Sequence, residues 1–296
     1  MVRAMLRNGL LGLLTAAGAC AAELPPPEPR QPGDKSAFTL WNPTPRGLLR
    51  DMSTDRPDKT ESPYSVDAGH VQVEADVVSY SYDRYNLARD HTRAESLAIA
   101  PFNLKVGLCN SADFQVVVPT YTVARTRDTR TRMVHYDRGF GDLITRVKVN
   151  LWGNDGGNTA LGLMPFVKWP TGADGIGNDA FEGGIIVPLA IALPGGWDLG
   201  LMVETDFTCD EDGGGHHVDL IESITFSHSI VGELSGYMEF FNNLSTEHGG
   251  TPWIATADFG LTYGLTPDIQ LDAGINIGLT RAADDFNPFI GISVRF

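Results

Sequence analysis

Over roughly the last three quarters of the chain, apolar and polar residues alternate in short runs separated by turn-forming residues such as glycine and proline. In residues 267–279, for example, Leu271 and Ile275 lie on one face, and Asp272 and Asn276 lie on the other. A period of two is typical of β-strands, because successive side chains of a strand point to opposite faces of the sheet. The pattern therefore predicts an all-β fold.

The length of the runs separates two kinds of β-protein. We count twelve runs of roughly ten to fourteen residues each, whereas strands of soluble proteins average about five or six. A tilted strand that crosses a membrane needs about nine to eleven residues. The lengths favour a closed antiparallel transmembrane β-barrel of about 12 strands over a soluble β-sandwich, which would bury its apolar faces. The predicted strands are residues 69–82, 94–108, 113–123, 140–152, 158–169, 181–193, 197–207, 216–229, 233–244, 252–264, 267–279 and 286–296.

The connections between the predicted strands alternate in length. Those that follow even-numbered strands are short, such as 194–196 and 265–266, and those that follow odd-numbered strands are mostly longer and polar, such as 83–93 and 124–139. Outer-membrane barrels have this asymmetry, with short periplasmic turns and longer extracellular loops. The connections therefore predict which end of the barrel faces the periplasm.

Aromatic residues at the strand ends agree with this orientation. Trp169, Trp197 and Trp253 lie on the apolar face, where the aromatic girdle of a membrane barrel is expected. Trp152 also ends a predicted strand but falls on its polar face, which a β-bulge would explain. The last strand ends in Phe296, which resembles the assembly signal of outer-membrane barrels.

The N-terminal quarter has a different character. Residues 1–22 combine two arginines, a short apolar run and small residues, which is typical of a secretory signal peptide and too short for a membrane span. Cys20 leaves open whether this end carries a lipid. Residues 23–68 form a proline-rich extension that precedes the predicted barrel, residues 69–296. A signal peptide followed by a barrel predicts that the protein is exported to an outer membrane of the Gram-negative type. Membrane lipid and lipopolysaccharide are then its expected partners.

Composition narrows the classes of function. The formal net charge is −15 at pH 7, and so acidic a chain is not expected to bind nucleic acid, which requires a basic surface. Hydrophobic residues make up 42% of the chain, and no apolar run reaches the roughly 18 residues of a spanning helix. We find no phosphate loop, dinucleotide fingerprint or paired cysteine motif, and we expect no cofactor.

Several short segments carry a more specific signal. Residues 53–64 read STDRPDKTESPY, residues 69–74 read GHVQVE, residues 165–172 read PFVKWPTG and residues 261–266 read LTYGLT. These segments resemble a family of outer-membrane transporters that is labelled for the MetA-pathway of phenol degradation. The resemblance implies a barrel that moves small, often aromatic, organic compounds, and it brings no catalytic residues with it.

The polar faces of the predicted strands should line the barrel lumen. Carboxylates outnumber basic groups among the candidates by seven to three, so one hypothesis is a channel whose field favours cations or neutral solutes over anions. The alternative is a lumen closed by paired charges, since small barrels fill their own interiors. The candidate lumen residues are Glu74, Asp76, Arg146, Lys148, Glu204, Asp206, Glu239, Asp258, Asp272 and Arg295.

The segment before the first strand carries both charge and conformational rigidity. Asp55, Arg56, Lys59 and Glu61 are candidate plug residues, because the segment could fold into the lumen and place its two basic groups against acidic wall residues. The alternative is a periplasmic tail that packs on the mouth of the barrel.

Three functions remain on these grounds. The first is an outer-membrane channel for small solutes, including hydrophobic or aromatic compounds, and not an enzyme. The second is a non-transporting barrel with a plugged lumen and a surface-binding role, in which a predicted loop at 124–139 holds lipopolysaccharide phosphates. The third is a membrane-embedded hydrolase, for which His228 and its flanking serines are the nearest arrangement, although neighbours along a strand cannot pair directly. The arginines of the predicted loop are Arg125, Arg127, Arg130 and Arg132.

An acidic stretch and two cysteines complete the candidates. Asp210 and its acidic neighbours precede His216 and His217, but they lack the spacing of a calcium loop, so we expect no metal site. Cys109 and Cys209 are predicted at opposite ends of the barrel. An apolar band of about 25 Å would separate them, whereas a disulfide requires Cα atoms within about 7 Å, so we expect two free thiols.

Overall fold

The structure, a computed structural model, describes residues 34–84, 91–210, 215–247 and 252–296. The predicted signal peptide lies outside these residues. A 3-10 turn at Arg46–Leu48 precedes a series of β-segments. These are β1 Val71–Asp83, β2 Thr92–Ile99, β3 Phe102–Cys109, β4 Ala112–Val118, β5 Tyr121–Asp128, β6 Val134–Gly139, β7 Ile144–Trp152, β8 Thr159–Lys168, β9 Glu182–Leu193, β10 Trp197–Cys209, β11 His216–Val231, β12 Leu234–Ser245, β13 Trp253–Thr266, β14 Ile269–Gly278 and β15 Phe286–Arg295.

The segments form one antiparallel sheet that closes on itself. β1 pairs with β15 along one edge and with both β2 and β3 along the other. β2 and β3 are two parts of one barrel strand, interrupted where Ala100 has a positive φ of 54°. β4 and β5 are likewise interrupted at Pro119, which lacks a backbone N–H for the ladder, and β6 and β7 are interrupted before Ile144. Counted as barrel strands, the segments make the predicted closed barrel of twelve.

The two faces of the sheet have opposite chemistry. Leu271 and Ile277 on the outer face of β14 are each 40% exposed, whereas Asp272 between them is 6% exposed. The same inversion extends around the barrel, where large apolar side chains point outward and charged side chains are buried. Such an arrangement would be unfavourable in water, because exposure of apolar surface to water costs free energy. A lipid environment satisfies the apolar outer face and confirms the predicted transmembrane barrel.

The tryptophans follow the predicted girdle. Trp169, Trp197 and Trp253 lie at strand ends with 40%, 40% and 51% of their surface exposed. The register of β7 against β8 shifts between Asn150 and Trp152. This β-bulge turns Trp152 to the outer side, where it is 50% exposed. The bulge explains why a strict alternation of faces wrongly assigns Trp152 to the polar face.

The prediction of a loop at 124–139 is wrong. β5 continues to Asp128 and β6 begins at Val134, so only residues 129–133 form the turn. This hairpin also pairs with β2, which continues the wall of the barrel beyond the apolar band. The outer face of the hairpin mixes apolar residues such as Val123 and Tyr136 with arginines such as Arg127, so the alternation that marks the other strands is weakened.

Among the described residues, no helix is long and apolar enough to cross a bilayer. Cys109 ends β3 at the turn into β4, and Cys209 ends β10 at the other rim. Both are free thiols.

Candidate functional site in the barrel lumen

Residues 51–66, here called the inserted segment, leave the periplasmic rim, enter the barrel and return to that rim before β1. The two ends of the segment meet at a neck. The Arg50 backbone N–H donates to Asp67 Oδ2 at 3.0 Å, and the Arg50 guanidinium donates to the Ser65 carbonyl oxygen at 3.0 Å. The segment is therefore a loop within the lumen, closed at its base.

A basic sector of the wall holds the first acidic group of the segment. The Asp55 carboxylate forms ion pairs with Lys105 on β3 and Lys148 on β7. Both lysine side chains are almost completely buried, with 2% and 1% exposed. Lys105 also pairs with Glu74 on β1, whose carboxylate accepts the Asp55 N–H at 3.0 Å. Buried charges are tolerated only when paired in this way.

An acidic sector that runs from β1 to β14, β13 and β12 around the barrel holds the first basic group. The Arg56 guanidinium contacts Asp76 on β1 and Asp272 on β14, each at 2.7 Å. Its Nε donates a second bond to Asp272 at 3.1 Å. This fork geometry is the strongest form of the arginine–carboxylate pair.

The tip of the segment is bound by the acidic sector as well. Lys59 pairs with Asp258 on β13 at 3.1 Å and donates to the Thr256 hydroxyl at 2.8 Å. The Glu239 carboxylate on β12 accepts the backbone N–H groups of Lys59 and Thr60 at 2.9 and 2.8 Å. A wall carboxylate that binds backbone N–H groups fixes the path of the chain as well as its side chains.

The returning part of the segment crosses back to the basic sector. Glu61 forms an ion pair with Arg146 on β7. Asn150, on the same strand, donates to the Pro63 carbonyl oxygen at 2.9 Å. The inserted segment thus contacts walls on opposite sides of the lumen.

The predicted lumen residues fall into three groups in the structure. Arg295 lies at the periplasmic end, where it binds Asp268 and the Arg50 carbonyl oxygen. Glu204 and Asp206 line a cavity toward the external side. The others contact the inserted segment, namely Glu74, Asp76, Arg146, Lys148, Glu239, Asp258 and Asp272.

Sequence reasoning missed Lys105, the second ligand of Asp55. A signal for it was present, because Asn103, Lys105 and Gly107 alternate with Leu104 and its apolar neighbours along β3. Applying the period of two to this strand would have assigned Lys105 to the lumen.

One cavity lies between the two ends of the inserted segment, and a second lies nearer the external side of the lumen. The periplasmic one has a volume of about 290 Å³ and is lined by residues that include Arg50, Tyr64 and Gln72. The external one has a volume of about 300 Å³ and is formed by β7 to β11. Its lining combines apolar side chains with charged ones, namely Ile144, Phe166, Ile186, Arg146, Lys168, Glu182, Glu204, Asp206 and Asp219.

The other sequence candidates are placed outside this lumen site. Among the described residues, no group of three or more potential ligands could hold a metal ion. Asp210 binds the His217 ring at 2.7 Å, and the two acidic residues that follow Asp210 lie outside the described residues. His228 binds the Gly195 carbonyl oxygen at 3.1 Å and packs against Trp197.

A glycine on β15 makes room for Arg56. A Cβ atom at Gly291 would lie 2.0 Å from Arg56 Nη2 and 2.7 Å from the Ala75 carbonyl oxygen. We expect Gly291→Ala to displace Arg56, break its fork with Asp272 and loosen the inserted segment. Faster trypsin cleavage after Lys59 in the folded, purified protein would measure this loosening.

Gly47→Ala is the matched control, because a Cβ atom there meets nothing within 4 Å. Its cleavage rate should equal that of the unaltered protein. Equal rates for both variants would contradict the tight fit between β15 and Arg56.

Comparisons with known proteins agree with the fold. A family model described as "Putative MetA-pathway of phenol degradation" matches residues 54–296. No relative was found among curated proteins. The COG4313 outer membrane channel from Pseudomonas putida F1 is 15% identical with a TM-score of 0.60, over 82% of this chain and 100% of that chain.

Two further solved barrels are less similar. The NanC porin is 12% identical with a TM-score of 0.46, over 76% of this chain and 98% of that chain. The translocator domain of the autotransporter NalP from Neisseria meningitidis is 9% identical with a TM-score of 0.44, over 76% of this chain and 88% of that chain.

Proposed function

The chain belongs to the family described as "Putative MetA-pathway of phenol degradation", it is an outer-membrane β-barrel, and on this premise we propose that it is a channel for small organic solutes. In this proposal the inserted segment is a plug that closes the lumen at rest. A solute passes when the segment moves away from one wall.

The observation that carries the proposal is the pair of cavities at the two ends of the lumen. Their volumes of about 290 and 300 Å³ are nearly equal. Both ends of the inserted segment line the first, and Arg146, the ion-pair partner of Glu61, lines the second. Small-molecule sites begin at about 300 Å³. Each cavity therefore suits one small solute, and displacement of the segment would join them into one path.

The contacts of the segment suit a reversible closure. Residues 51–66 form no strand with the wall and are held by ion pairs and hydrogen bonds. Such contacts can be exchanged one by one for contacts with water or with a solute. A segment paired as a strand of the sheet could move only by breaking a whole ladder of backbone hydrogen bonds.

The lining of the external cavity suggests the class of solute. Phe166 and Ile186 offer an apolar surface, and Glu204 and Asp206 offer hydrogen-bond acceptors beside it. We infer a solute with a single aromatic ring or similar apolar body and at least one hydrogen-bond donor. The name of the P. putida relative, an outer membrane channel, and the phenol-degradation label of the family support this inference.

The test is permeation through liposomes that contain the purified protein. We expect phenol and other single-ring hydroxylated aromatics to enter faster than into empty liposomes. Phe166→Ala should reduce the difference between aromatic solutes and equally small non-aromatic ones. An identical flux for loaded and empty liposomes, also after the segment is replaced, would contradict a channel.

The number of contacts to the segment favours one alternative, a permanently plugged barrel with a structural or surface-binding role. The two functions differ in one result. A permanently plugged barrel does not conduct in its unaltered form, yet it conducts once the segment is replaced, whereas the proposed channel conducts in both forms.

A further inference from the structure

A basic patch lies on the outer face of the external hairpin and of the strand beside it. Arg93 on β2 is directly opposite Arg127 on β5. Arg138 on β6 is directly opposite Val123, which belongs to the same face of β5 as Arg127. Directly opposite residues of antiparallel strands share a face of the sheet. We call Arg93, Arg127 and Arg138 the arginine patch.

This face continues downward into the lipid-facing surface. Leu97 and Ile99 have the same parity as Arg93 along β2, and they are exposed apolar residues of the outer wall. Arg93 is four residues above Leu97, or about 13 Å at roughly 3.3 Å per residue. The arginine patch therefore lies at and just above the upper edge of the apolar band.

The aromatic girdle sets the same level independently. Tyr82 on β1 is directly opposite Glu95, the neighbour of Arg93 on the outer face. The Tyr82 ring stacks on Phe286 with centroids 5.3 Å apart. Aromatic belts mark the interface between acyl chains and headgroups. The arginine patch thus faces lipid headgroups.

The patch has an excess of positive charge that no carboxylate in the described part of the chain balances through an ion pair. Glu95 is paired with Arg125 at 2.9 Å. Among the described residues, no carboxylate forms an ion pair with Arg93, Arg127 or Arg138. Like charges directly opposite each other destabilise a sheet. The arrangement occurs in a chain with a net charge of −15, in which acidic partners are plentiful.

We propose that the arginine patch binds the phosphate groups of lipopolysaccharide in the outer leaflet, with the acyl chains of the same molecule against Leu97, Ile99 and Val123. Guanidinium groups bind phosphate oxygens in pairs, and such bonds are stronger when partly shielded from water. A phosphate between Arg93 and Arg127 relieves the repulsion between them. The assignment does not depend on whether the lumen conducts.

The site differs from the one that the sequence predicted. Arg130 and Arg132 lie in the turn beyond β5, at the tip of the hairpin, and not on the patch. They carry the same charge on the same hairpin and provide a matched control. Arg125 is engaged by Glu95 and contributes less free charge.

The experiment measures how lipopolysaccharide changes the temperature at which the purified, detergent-solubilised barrel unfolds, seen as its heat-dependent mobility on gels. Lipopolysaccharide should raise this temperature for the unaltered protein and for the double variant Arg130→Gln, Arg132→Gln. The double variant Arg93→Gln, Arg127→Gln should lose most of the rise. Inorganic phosphate at equal phosphorus concentration should give little rise, because it lacks the acyl chains.

Three results would overturn the assignment. If both double variants lost the same part of the rise in unfolding temperature, the rise would come from the overall charge of the hairpin and not from the arginine patch. An unchanged rise in Arg93→Gln, Arg127→Gln would place the lipid elsewhere. A full rise with inorganic phosphate alone would indicate a site for free anions and not for a lipid.

Discussion

Replacement of residues 53–62 by a glycine–serine stretch of equal length should leave a barrel that conducts continuously. The replacement removes the side chains that bind both charged sectors of the wall, among them Arg56, Lys59 and Glu61. The two end cavities then join. In planar bilayers we expect stable single-channel steps several-fold larger than the brief openings of the unaltered protein.

Two single arginine variants test whether the inserted segment closes the lumen, and they alter fewer residues than the replacement of 53–62 does. Arg56→Gln removes the bonds to Asp76 and Asp272 inside the lumen. Arg46→Gln removes one arginine–carboxylate pair at the periplasmic rim, where Arg46 is 75% exposed and binds Asp268. The first variant should raise the open fraction, and the second should not. Unchanged currents in both Arg56→Gln and the glycine–serine variant would exclude the inserted segment as the barrier.

The second large effect concerns Asp55, which forms ion pairs with two buried lysines. In Asp55→Asn, Lys105 keeps its pair with Glu74, but Lys148 loses the carboxylate that it binds. Removal of one partner from a buried ion pair costs about 3–5 kcal/mol. We expect this cost to weaken docking of the segment, since the barrel strands pair independently of it. Trypsin cleavage after Lys59 should become faster by orders of magnitude while the barrel keeps its heat-dependent mobility.

A second-site change provides the control for this prediction. Lys148→Met added to Asp55→Asn removes the unpaired charge and should restore a large part of the protection, so the two changes should not be additive. Asp51→Asn alters an exposed carboxylate of the same segment and should have little effect. Equal cleavage rates in Asp51→Asn and Asp55→Asn would contradict a specific role of the buried pairs.

The barrel was predictable from sequence because lipid imposes a strict alternation on every strand that crosses it. Leu271 and Asp272 illustrate this, since their contrasting chemistry alone distinguishes the lipid-facing side of β14 from the lumen side. The charges of Arg56 and Lys59 likewise suggested acidic partners, which the structure supplies as Asp272 and Asp258. Because the same lipid environment acts on every strand, its effect on the order of apolar and polar residues can be recognised within a single strand.

The features that sequence did not predict depend on contacts between distant parts of the chain. The outer face of the external hairpin mixes arginines with apolar residues such as Val123, so its two strands lack a clear alternation. They are recognised only from their pairing across the sheet, where Arg125 bonds Glu95. The partners of Asp55 come from β3 and β7, and no local pattern joins these positions to the segment. The bulge at Trp152 also depends on the register of the neighbouring strand.

The closed base of the inserted segment limits how the channel can open. Because Arg50 binds Asp67 and Ser65, the loop is tethered at both ends even when its tip leaves the wall. Reclosing is then a unimolecular step, and short tethers give local concentrations in the millimolar range. A free peptide with the sequence of residues 51–66 would therefore need a concentration in about the millimolar range or above to block a barrel that lacks its own loop as well as the tethered segment does.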